Sequence, residues 1–229
     1  MLRLLVTRYI SAVKKIDYVV DENISNMYIL KIILSKATLL LRGLIKIRRL
    51  VFIGRRVEVN CKKLLTIGNA SSIGDYCIVD CLSVKGVKIG RATTLGRFGK
   101  IRSTATLVDL GYGVTIGECV GIGDGFYLGA YGGIDIGSDT IIGERLTIHS
   151  DNHKYKDSDL LIREQGVVSM EVEIGSNCWI GSNVTILGGV KIGSGCIVGA
   201  GSIVTKSFPE NCIIVGCPAK VLTRDYHKH

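Results

Sequence analysis

Two histidines are the strongest candidates for chemistry in this chain of 229 residues. His149 and His153 lie in a polar stretch that reads His-Ser-Asp-Asn-His-Lys-Tyr and continues to Gly166. Imidazole has an unperturbed pKa of about 6.5, so it is largely neutral near pH 7 and can take a proton from an attacking hydroxyl group. Three acids of this stretch are candidates to orient such a base, and the sequence does not choose among them: Asp151, Asp157 and Asp159. The alternative interpretation is a surface loop with incidental histidines.

The elements that must position these histidines repeat with a period of six residues. From Ile174 to Thr205 an aliphatic residue returns at every sixth position, usually followed by glycine. These aliphatic residues are Ile174, Ile180, Ile186, Ile192, Val198 and Val204. A period of six matches neither an α-helix nor one long strand, but it matches a short strand and a corner, repeated. Three such hexads close one triangular turn of a parallel β-helix, and we interpret the glycine as a residue that relaxes a tight corner.

Hexads recur earlier in the chain and predict a solenoid of about six turns. The turns start at Ile67, Ile89, Ile116, Ile136, Ile174 and Ile192, after a weak beginning at Ile53. The fifth position of a hexad is usually small; Phe126 breaks this rule, which predicts a distorted turn or a register slip there. Between Ile148 and Ile174 the chain advances 26 residues where six would complete a hexad. We therefore expect residues 149–173 to form an excursion from the solenoid, the usual place for binding and catalysis.

The eight cysteines indicate packing rather than disulfides or metal binding. Cys77, Cys178 and Cys196 occupy the small inward position of their hexads, where a thiol behaves as a compact apolar group. The chain has no Cys-x-x-Cys pair and no secretory leader with an apolar core and a cleavage site. We expect a reducing, cytoplasmic location, and no metal, because the ligand spacing of a zinc site is missing.

The N-terminal segment holds the whole excess of positive charge. Residues 1–56 contain 12 Lys/Arg and 3 Asp/Glu, whereas the rest of the chain has 17 of each, for a formal net charge of +9. Apolar residues at spacings of three and four predict an amphipathic helical segment over residues 1–52, without the run of about 20 apolar residues that spans a bilayer. Two compatible interpretations stay open: helices that cap the open end of the solenoid, or a basic surface on anionic lipid. We expect no nucleic acid partner, because no binding module accompanies the basic residues.

The hexads resemble those of the hexapeptide-repeat acyltransferases, whose fold is a left-handed parallel β-helix. The left hand is implied by this resemblance alone, since ordinary parallel crossovers are right-handed. The residues around His153 resemble the Asn-His-x-Tyr form of sugar O-acetyltransferases, followed by Gln-Gly and by Cys-Trp-Ile-Gly. The resemblance implies that His153 is the general base, with His149 as its competitor or as the residue that orients it. It also implies acetyl-CoA as co-substrate, no metal requirement, and a homotrimer with active sites between subunits.

The resemblance further implies where both substrates bind. Coenzyme A would lie in a groove between subunits, and its phosphates would meet cations near the C-terminus. The implied coenzyme A residues are Trp179, Gly181, Ser182, Ala200, Thr205, Lys206 and Lys220, with Arg224 as a further cation. The implied acceptor residues are Asp124, Tyr127, Asn152 and Tyr155; the first two stand where some family members have an asparagine. The alternative interpretation of these residues is solenoid packing and solvated surface.

Together these patterns predict an all-β fold, a left-handed parallel β-helix over residues 53–208, between the helical segment 1–52 and a tail 209–229. The expected function is acetyl-CoA-dependent O-acetylation of a sugar hydroxyl in surface polysaccharide biosynthesis, in the cytoplasm or peripherally at the inner face of the membrane. The alternatives are an N-acyltransferase acting on an amino sugar and a scaffold that only forms trimers. A carbonic anhydrase on the same scaffold would need three metal-binding histidines, and only His149 and His153 are candidates within the coils.

Overall fold

The computed structural model of the protein describes residues 2–14, 17–104 and 108–224, and it places two helices before a triangular β-solenoid. The helices are α1 (Leu2–Lys14) and α2 (Asn26–Ile47), and two short 3-10 helices cover Lys62–Leu64 and Ile162–Glu164. In chain order, the strands are β1 Phe52–Ile53, β2 Glu58–Asn60, β3 Leu65–Ile67, β4 Ser72–Ile73, β5 Ile78–Asp80, β6 Val87–Ile89, β7 Thr94–Leu95, β8 Lys100–Arg102, β9 Val114–Ile116, β10 Gly121–Ile122, β11 Tyr127–Gly129, β12 Ile134–Ile136, β13 Ile141–Ile142, β14 Thr147–His149, β15 Asp151–His153, β16 Val167–Ser169, β17 Val172–Ile174, β18 Trp179–Ile180, β19 Thr185–Ile186, β20 Lys191–Ile192, β21 Ile197–Val198, β22 Ile203–Val204, β23 Cys212–Gly216 and β24 Ala219–Arg224.

Three parallel sheets form the faces of the solenoid. Face A contains β1, β4, β7, β10, β13, β18, β21 and β23, with β24 antiparallel at its end; face B contains β2, β5, β8, β11, β14, β19 and β22; face C contains β3, β6, β9, β12, β17 and β20. The six predicted turn starts, Ile67, Ile89, Ile116, Ile136, Ile174 and Ile192, pair in succession on face C. The expected six turns are therefore confirmed on this face. Face A extends further at both ends, because β1 pairs with β4 and because β23 lies within the residues predicted as a tail.

The glycine that follows each inward aliphatic residue has a different role from the expected one. Left-handed backbone falls at the fourth position of the hexad, as at Asn177 (φ 54°) and Asn183 (φ 58°). A Cβ at Gly68 would lie 2.5 Å from the backbone nitrogen of Arg91, and a Cβ at Gly181 would lie 2.5 Å from that of Ala200. The interpretation of these glycines as corner residues was wrong: they let successive coils approach each other closely.

Phe126 packs inside the solenoid without a register slip. Its ring is 2% exposed, and β10 and β11 on either side of it pair in regular register with the coils before and after. Gly99 occupies the equivalent hexad position one coil earlier, and a Cβ there would lie 1.9 Å from Cε1 of Phe126. The predicted distortion was wrong because the missing side chain at Gly99 provides the volume that the ring fills.

The inward cysteines are packing groups, as predicted. Cys77, Cys178 and Cys196 are buried, and all eight cysteines are free thiols. Burial raises the pKa of the Cys178 thiol, and it raises the pKa of Cys196 to about 11 and that of Cys81 to about 12. These thiols are therefore protonated near pH 7 and are poor nucleophiles.

Helix α2 covers the free edge of the first coil. Arg42 Nη1 donates a hydrogen bond to the carbonyl of Ile53 (3.4 Å), and Lys46 Nζ donates one to the carbonyl of Val57 (3.1 Å). Gly43 permits this approach, because a Cβ at its position would lie 1.9 Å from the carbonyl oxygen of Val51. The predicted cap is thus confirmed, and it pairs carbonyl groups at an edge that otherwise faces solvent. Neither α1 nor α2 is both long and apolar enough to cross a bilayer.

Candidate active site

The two histidines lie at the corner between faces B and C, at the point where the regular coils are interrupted. Strand β14 ends at His149, and the next coil strand begins only at Val172. Between them, buried Ser150 anchors the departing chain: its Oγ accepts a hydrogen bond from the N–H of Gly132 (2.8 Å) and donates one to the carbonyl of Gly129 (2.9 Å). The excursion therefore begins from a fixed position in the solenoid.

His153 lies on an antiparallel hairpin formed by β15 and β16, in which it pairs with Val167. The side chain of Gln165 holds the loop of this hairpin: it donates to the carbonyls of Asp157 (2.7 Å) and Leu160 (3.0 Å) and accepts from the N–H of Asp157 (3.1 Å). The His153 side chain is exposed, and no hydrogen bond to it is present within the described part of this protomer. An ordered arm thus presents an accessible imidazole outside the solenoid.

Of the three acids considered for orienting the base, Asp151 lies on the same strand as His153. Asp157 is engaged inside the loop, where its Oδ1 accepts a hydrogen bond from the N–H of Asp159 (3.0 Å). Asp151 and His153 are two residues apart on β15, so their side chains leave the same face of the hairpin. Asn152 points to the opposite face, where its Nδ2 lies 3.4 Å from Sδ of Met170.

His149 is positioned by the solenoid itself and contacts Tyr127. Their ring centroids are 5.4 Å apart, with the planes tilted by 46°. The Tyr127 ring crosses the space above Gly129, where a Cβ would lie 3.0 Å from Tyr127 Cε1. The structure thus brings together a predicted catalytic candidate and a predicted acceptor residue, whereas Tyr155 is 70% exposed on the arm.

Arg102 is a member of this neighbourhood that the sequence reasoning missed. It is the register partner of Gly129, which in turn pairs with His149 on the next coil. Gly129, which lies between Arg102 and His149 in the register, has no side chain, and the Tyr127 ring lies close to it. The hexads could have indicated this proximity, since Arg102 and His149 each directly follow an inward isoleucine and so have the same position in their hexads.

Asp124, expected to contact the acceptor, lies at a different corner of the triangle, between faces A and B. Its Oδ1 accepts a hydrogen bond from the N–H of Arg97 (2.7 Å), and its Oδ2 pairs with the Arg97 guanidinium (2.8 Å). The backbone hydrogen bond from Arg97 and then its guanidinium keep the pKa of Asp124 below the ordinary value. The same arrangement joins Asp75 to Arg55 two coils earlier, which favours a structural role for both acids.

The residues expected to bind coenzyme A are spread over several parts of a single protomer. Gly181, Ser182 and Ala200 stack between faces A and B, where Ser182 Oγ accepts a hydrogen bond from the N–H of Glu144 (3.2 Å). The remaining residues are exposed: Trp179 on face A, Thr205 and Lys206 between faces B and C, and Lys220 on β24. Arg224 ends β24. The C-terminal histidines His227 and His229 lie outside the described residues.

Two clefts of the described structure do not contain the histidines. One of about 570 Å³ lies between α2 and face A and includes Lys36, Arg42 and Arg55; the other, of about 450 Å³, lies on face C between Asp135 and Glu210. Within residues 2–14, 17–104 and 108–224, no three His, Cys, Asp or Glu side chains are grouped closely enough to hold a metal ion. The histidines of one protomer are thus open to solvent or to a neighbouring molecule.

Comparison with known proteins confirms the resemblance drawn from the hexads. The family model for the bacterial transferase hexapeptide (six repeats) matches residues 171–206. The chain is 27% identical over 175 residues to a probable acetyltransferase, Rv3034c, of Mycobacterium tuberculosis. This match covers 76% of the chain and 50% of the relative, so the chain spans about half the length of the curated relative it matches.

Among solved structures, the chain is similar to AntD, an N-acyltransferase from Bacillus cereus in complex with dTDP and 3-hydroxybutyryl-CoA. The TM-score is 0.55 at 23% identity, over 82% of this chain and 89% of AntD. This likeness concerns the fold, a left-handed parallel β-helix: the hexads predicted the parallel β-helix, and the family resemblance implied its left hand.

Proposed function

We propose that this chain, a left-handed β-helix protein with bacterial transferase hexapeptide repeats, is an acetyl-CoA-dependent O-acetyltransferase that acts on a sugar hydroxyl. The observation that supports this best is the position of His153, an accessible imidazole on a hairpin between β14 and β17, where the chain leaves the solenoid. The free thiols agree with a reducing compartment, and we propose a cytoplasmic location in the assembly of a surface polysaccharide.

In the proposed reaction, His153 acts as a general base. A neutral ring nitrogen takes the proton of the sugar hydroxyl while its oxygen attacks the thioester carbonyl of acetyl-CoA. The tetrahedral intermediate collapses, the carbon–sulfur bond breaks, and the coenzyme A thiolate takes the proton from the imidazolium. Backbone N–H groups at the coil corner are the candidate donors for the oxyanion. Asp151, on the same face of the hairpin, is the proposed group that orients the imidazole.

The stacked corner residues support coenzyme A binding. Gly181 is half-buried and Ala200 is exposed on the next coil, and such small residues leave room for the pantetheine arm of coenzyme A. Lys206 and Lys220 are exposed cations further along the chain and are the proposed partners of the coenzyme's phosphates. Tyr127, beside His149, is the proposed contact for the acceptor sugar.

We propose that the active site is completed by a neighbouring copy in a homotrimer. His149 and His153 are both exposed in one protomer, and neither lines either of the two described clefts. A reaction that uses a thioester must exclude water, so a second surface has to cover the hairpin. Light scattering should then give a mass of about 74 kDa in solution, three times the 24.8 kDa of the chain.

The experiment that tests this function follows acetyl transfer from acetyl-CoA to a panel of glycans by mass spectrometry. The substitution His153→Ala should lower turnover by about 10²–10⁴-fold without changing the far-UV circular dichroism. Val168→Ala, on the facing strand of the same hairpin, is the matched control and should keep turnover within a few-fold. Activity that survives His153→Ala but not His149→Ala would assign the base to His149. Absence of acetyl-CoA binding would favour the trimerising scaffold.

The same assay distinguishes a hydroxyl from an amino acceptor. An O-acetyl ester is cleaved by mild alkali, whereas an N-acetyl amide survives it. A product that resists mild alkali would replace O-acetylation with N-acylation of an amino sugar.

A further inference from the structure

Helix α2 exposes a continuous apolar stripe on the side away from the solenoid. At about 100° per residue, Ile29, Gly43 and Ile47 share one side of the helix, which is buried or half-buried against the protein. The residues that we name the α2 stripe lie about 60° to 160° around the helix from the line of Ile29 and Ile47 and are exposed: Met27, Leu30, Leu34, Leu41, Leu44 and Ile45. Their exposed fractions range from 43% at Leu44 to 79% at Met27. The stripe is about 27 Å long at 1.5 Å per residue.

This stripe is bordered by cations and has no acid near it on the helices. Lys31 lies at one edge of the stripe, and Arg48 and Arg49 follow its C-terminal end. Neither α1 nor α2 contains an Asp or Glu. A scattered exposed leucine is common on soluble proteins, but an aligned row of six large apolar side chains marks an interaction surface.

The charges decide between the two simplest occupants of this surface. A second copy docked by the same stripe would bring its own row of cations against Lys31 and Arg49, and like charges across an interface are unfavourable. A membrane with anionic headgroups meets both features at once, because it takes the apolar row into its acyl boundary and the cations onto its phosphates.

We propose that the α2 stripe docks this protein in the plane of an anionic lipid surface. The cap described above fixes the orientation of the helix, since Arg42 and Lys46 are hydrogen-bonded to carbonyls of the first coil. The helix thus covers the solenoid with one side and contacts lipid with the other. The two interpretations of the N-terminal segment describe two sides of one helix.

The test is co-sedimentation of the full chain with vesicles of phosphatidylcholine containing phosphatidylglycerol, compared with vesicles of phosphatidylcholine alone. The wild-type protein should bind the anionic vesicles at least about tenfold more tightly, and added NaCl should weaken this binding. The variant Leu34→Gln/Leu41→Gln/Ile45→Gln should lose at least about tenfold in affinity, because the insertion depends on buried apolar area. The variant Lys31→Gln/Arg49→Gln should also bind more weakly.

A matched control replaces three exposed apolar residues of the solenoid, Leu64→Gln/Val84→Gln/Val108→Gln, and should bind like the wild type. Circular dichroism and light scattering on every variant exclude unfolding as the cause of a loss. The proposal is overturned if the wild-type protein ignores anionic vesicles, or if the control loses as much as the stripe variant. It is also overturned if the stripe variant changes the oligomeric mass, because the stripe would then be a contact between copies.

Discussion

The packing of Phe126 against Gly99 predicts a strong energetic coupling between two adjacent coils. Phe126→Ala removes a ring that is 2% exposed, which should destabilise the fold by about 3–5 kcal/mol. Gly99→Ala should cost about 1–3 kcal/mol by overpacking. The three nearest atoms to the added Cβ all belong to the Phe126 ring, so removing the ring removes these three contacts.

The double variant therefore should be at least as stable as Phe126→Ala alone. Independent effects would sum to a loss of about 4–8 kcal/mol, so we expect a coupling energy of about 1–3 kcal/mol. The measurement is equilibrium unfolding in urea at one fixed protein concentration, because any association of copies raises the apparent stability.

The matched control for this cycle is Gly68→Ala. A Cβ at Gly68 would meet the backbone of Arg91 rather than a side chain, so its penalty should be the same with or without the Phe126 ring. If the Gly99 and Phe126 effects add to within about 0.5 kcal/mol, the ring does not occupy the space at Gly99 and our explanation of the regular register is incorrect.

Two further predictions concern ionisable groups of the solenoid. The pKa of Asp124 is lowered by the N–H and guanidinium of Arg97, so its stabilisation is present above the unfolded pKa of about 3.9 and is lost as the pH falls through the folded value. Asp124→Asn should therefore cost about 0.5–1 kcal/mol near pH 7, and the difference from wild type should shrink in unfolding curves measured below about pH 4; a constant difference would show that the charge is irrelevant. The thiol of Cys196, with a pKa raised to about 11 by burial, should resist iodoacetamide near pH 7.5 in the native state. Mass spectrometry should find the label first on the exposed Cys61 and Cys217, and early labelling of Cys196 would contradict the buried packing.

Periodicity predicted the fold well because each coil repeats one local solution. Each face of the solenoid buries one side of its strands, so an inward aliphatic residue such as Ile174 recurs at every sixth position. Three of these residues make one coil, and counting them along the chain gives the number of coils. The role of the glycine at the next position could not be read in this way. A left-handed corner and a close approach between coils both favour glycine, and only the structure shows the backbone of Arg91 against Gly68.

The candidate site was only partly predictable, because its residues come together across coils. The interruption after Ile148 located the hairpin of His153, since the chain there exceeds the length of a hexad. The neighbourhood of Arg102 and His149 depends on pairing between β8, β11 and β14, which no single hexad contains. Both sides of α2 are apolar in sequence, so Ile29 and Leu34 look alike until the packing shows which one faces the solenoid.

The two ends of the solenoid determine how copies of this protein can assemble. The strand edges at the end of a parallel β-helix could pair with the strands of another copy, and repeated pairing of this kind would produce a fibre. At the N-terminal end, side chains of α2 donate hydrogen bonds to the carbonyls of Ile53 and Val57, with which a strand of another copy would have to pair. At the other end, β24 runs antiparallel to β23, so a strand of another copy could not continue the parallel pairing of face A beyond it. Face A is thus closed to a further parallel strand at both ends, and its lateral surface is left for contacts with other molecules.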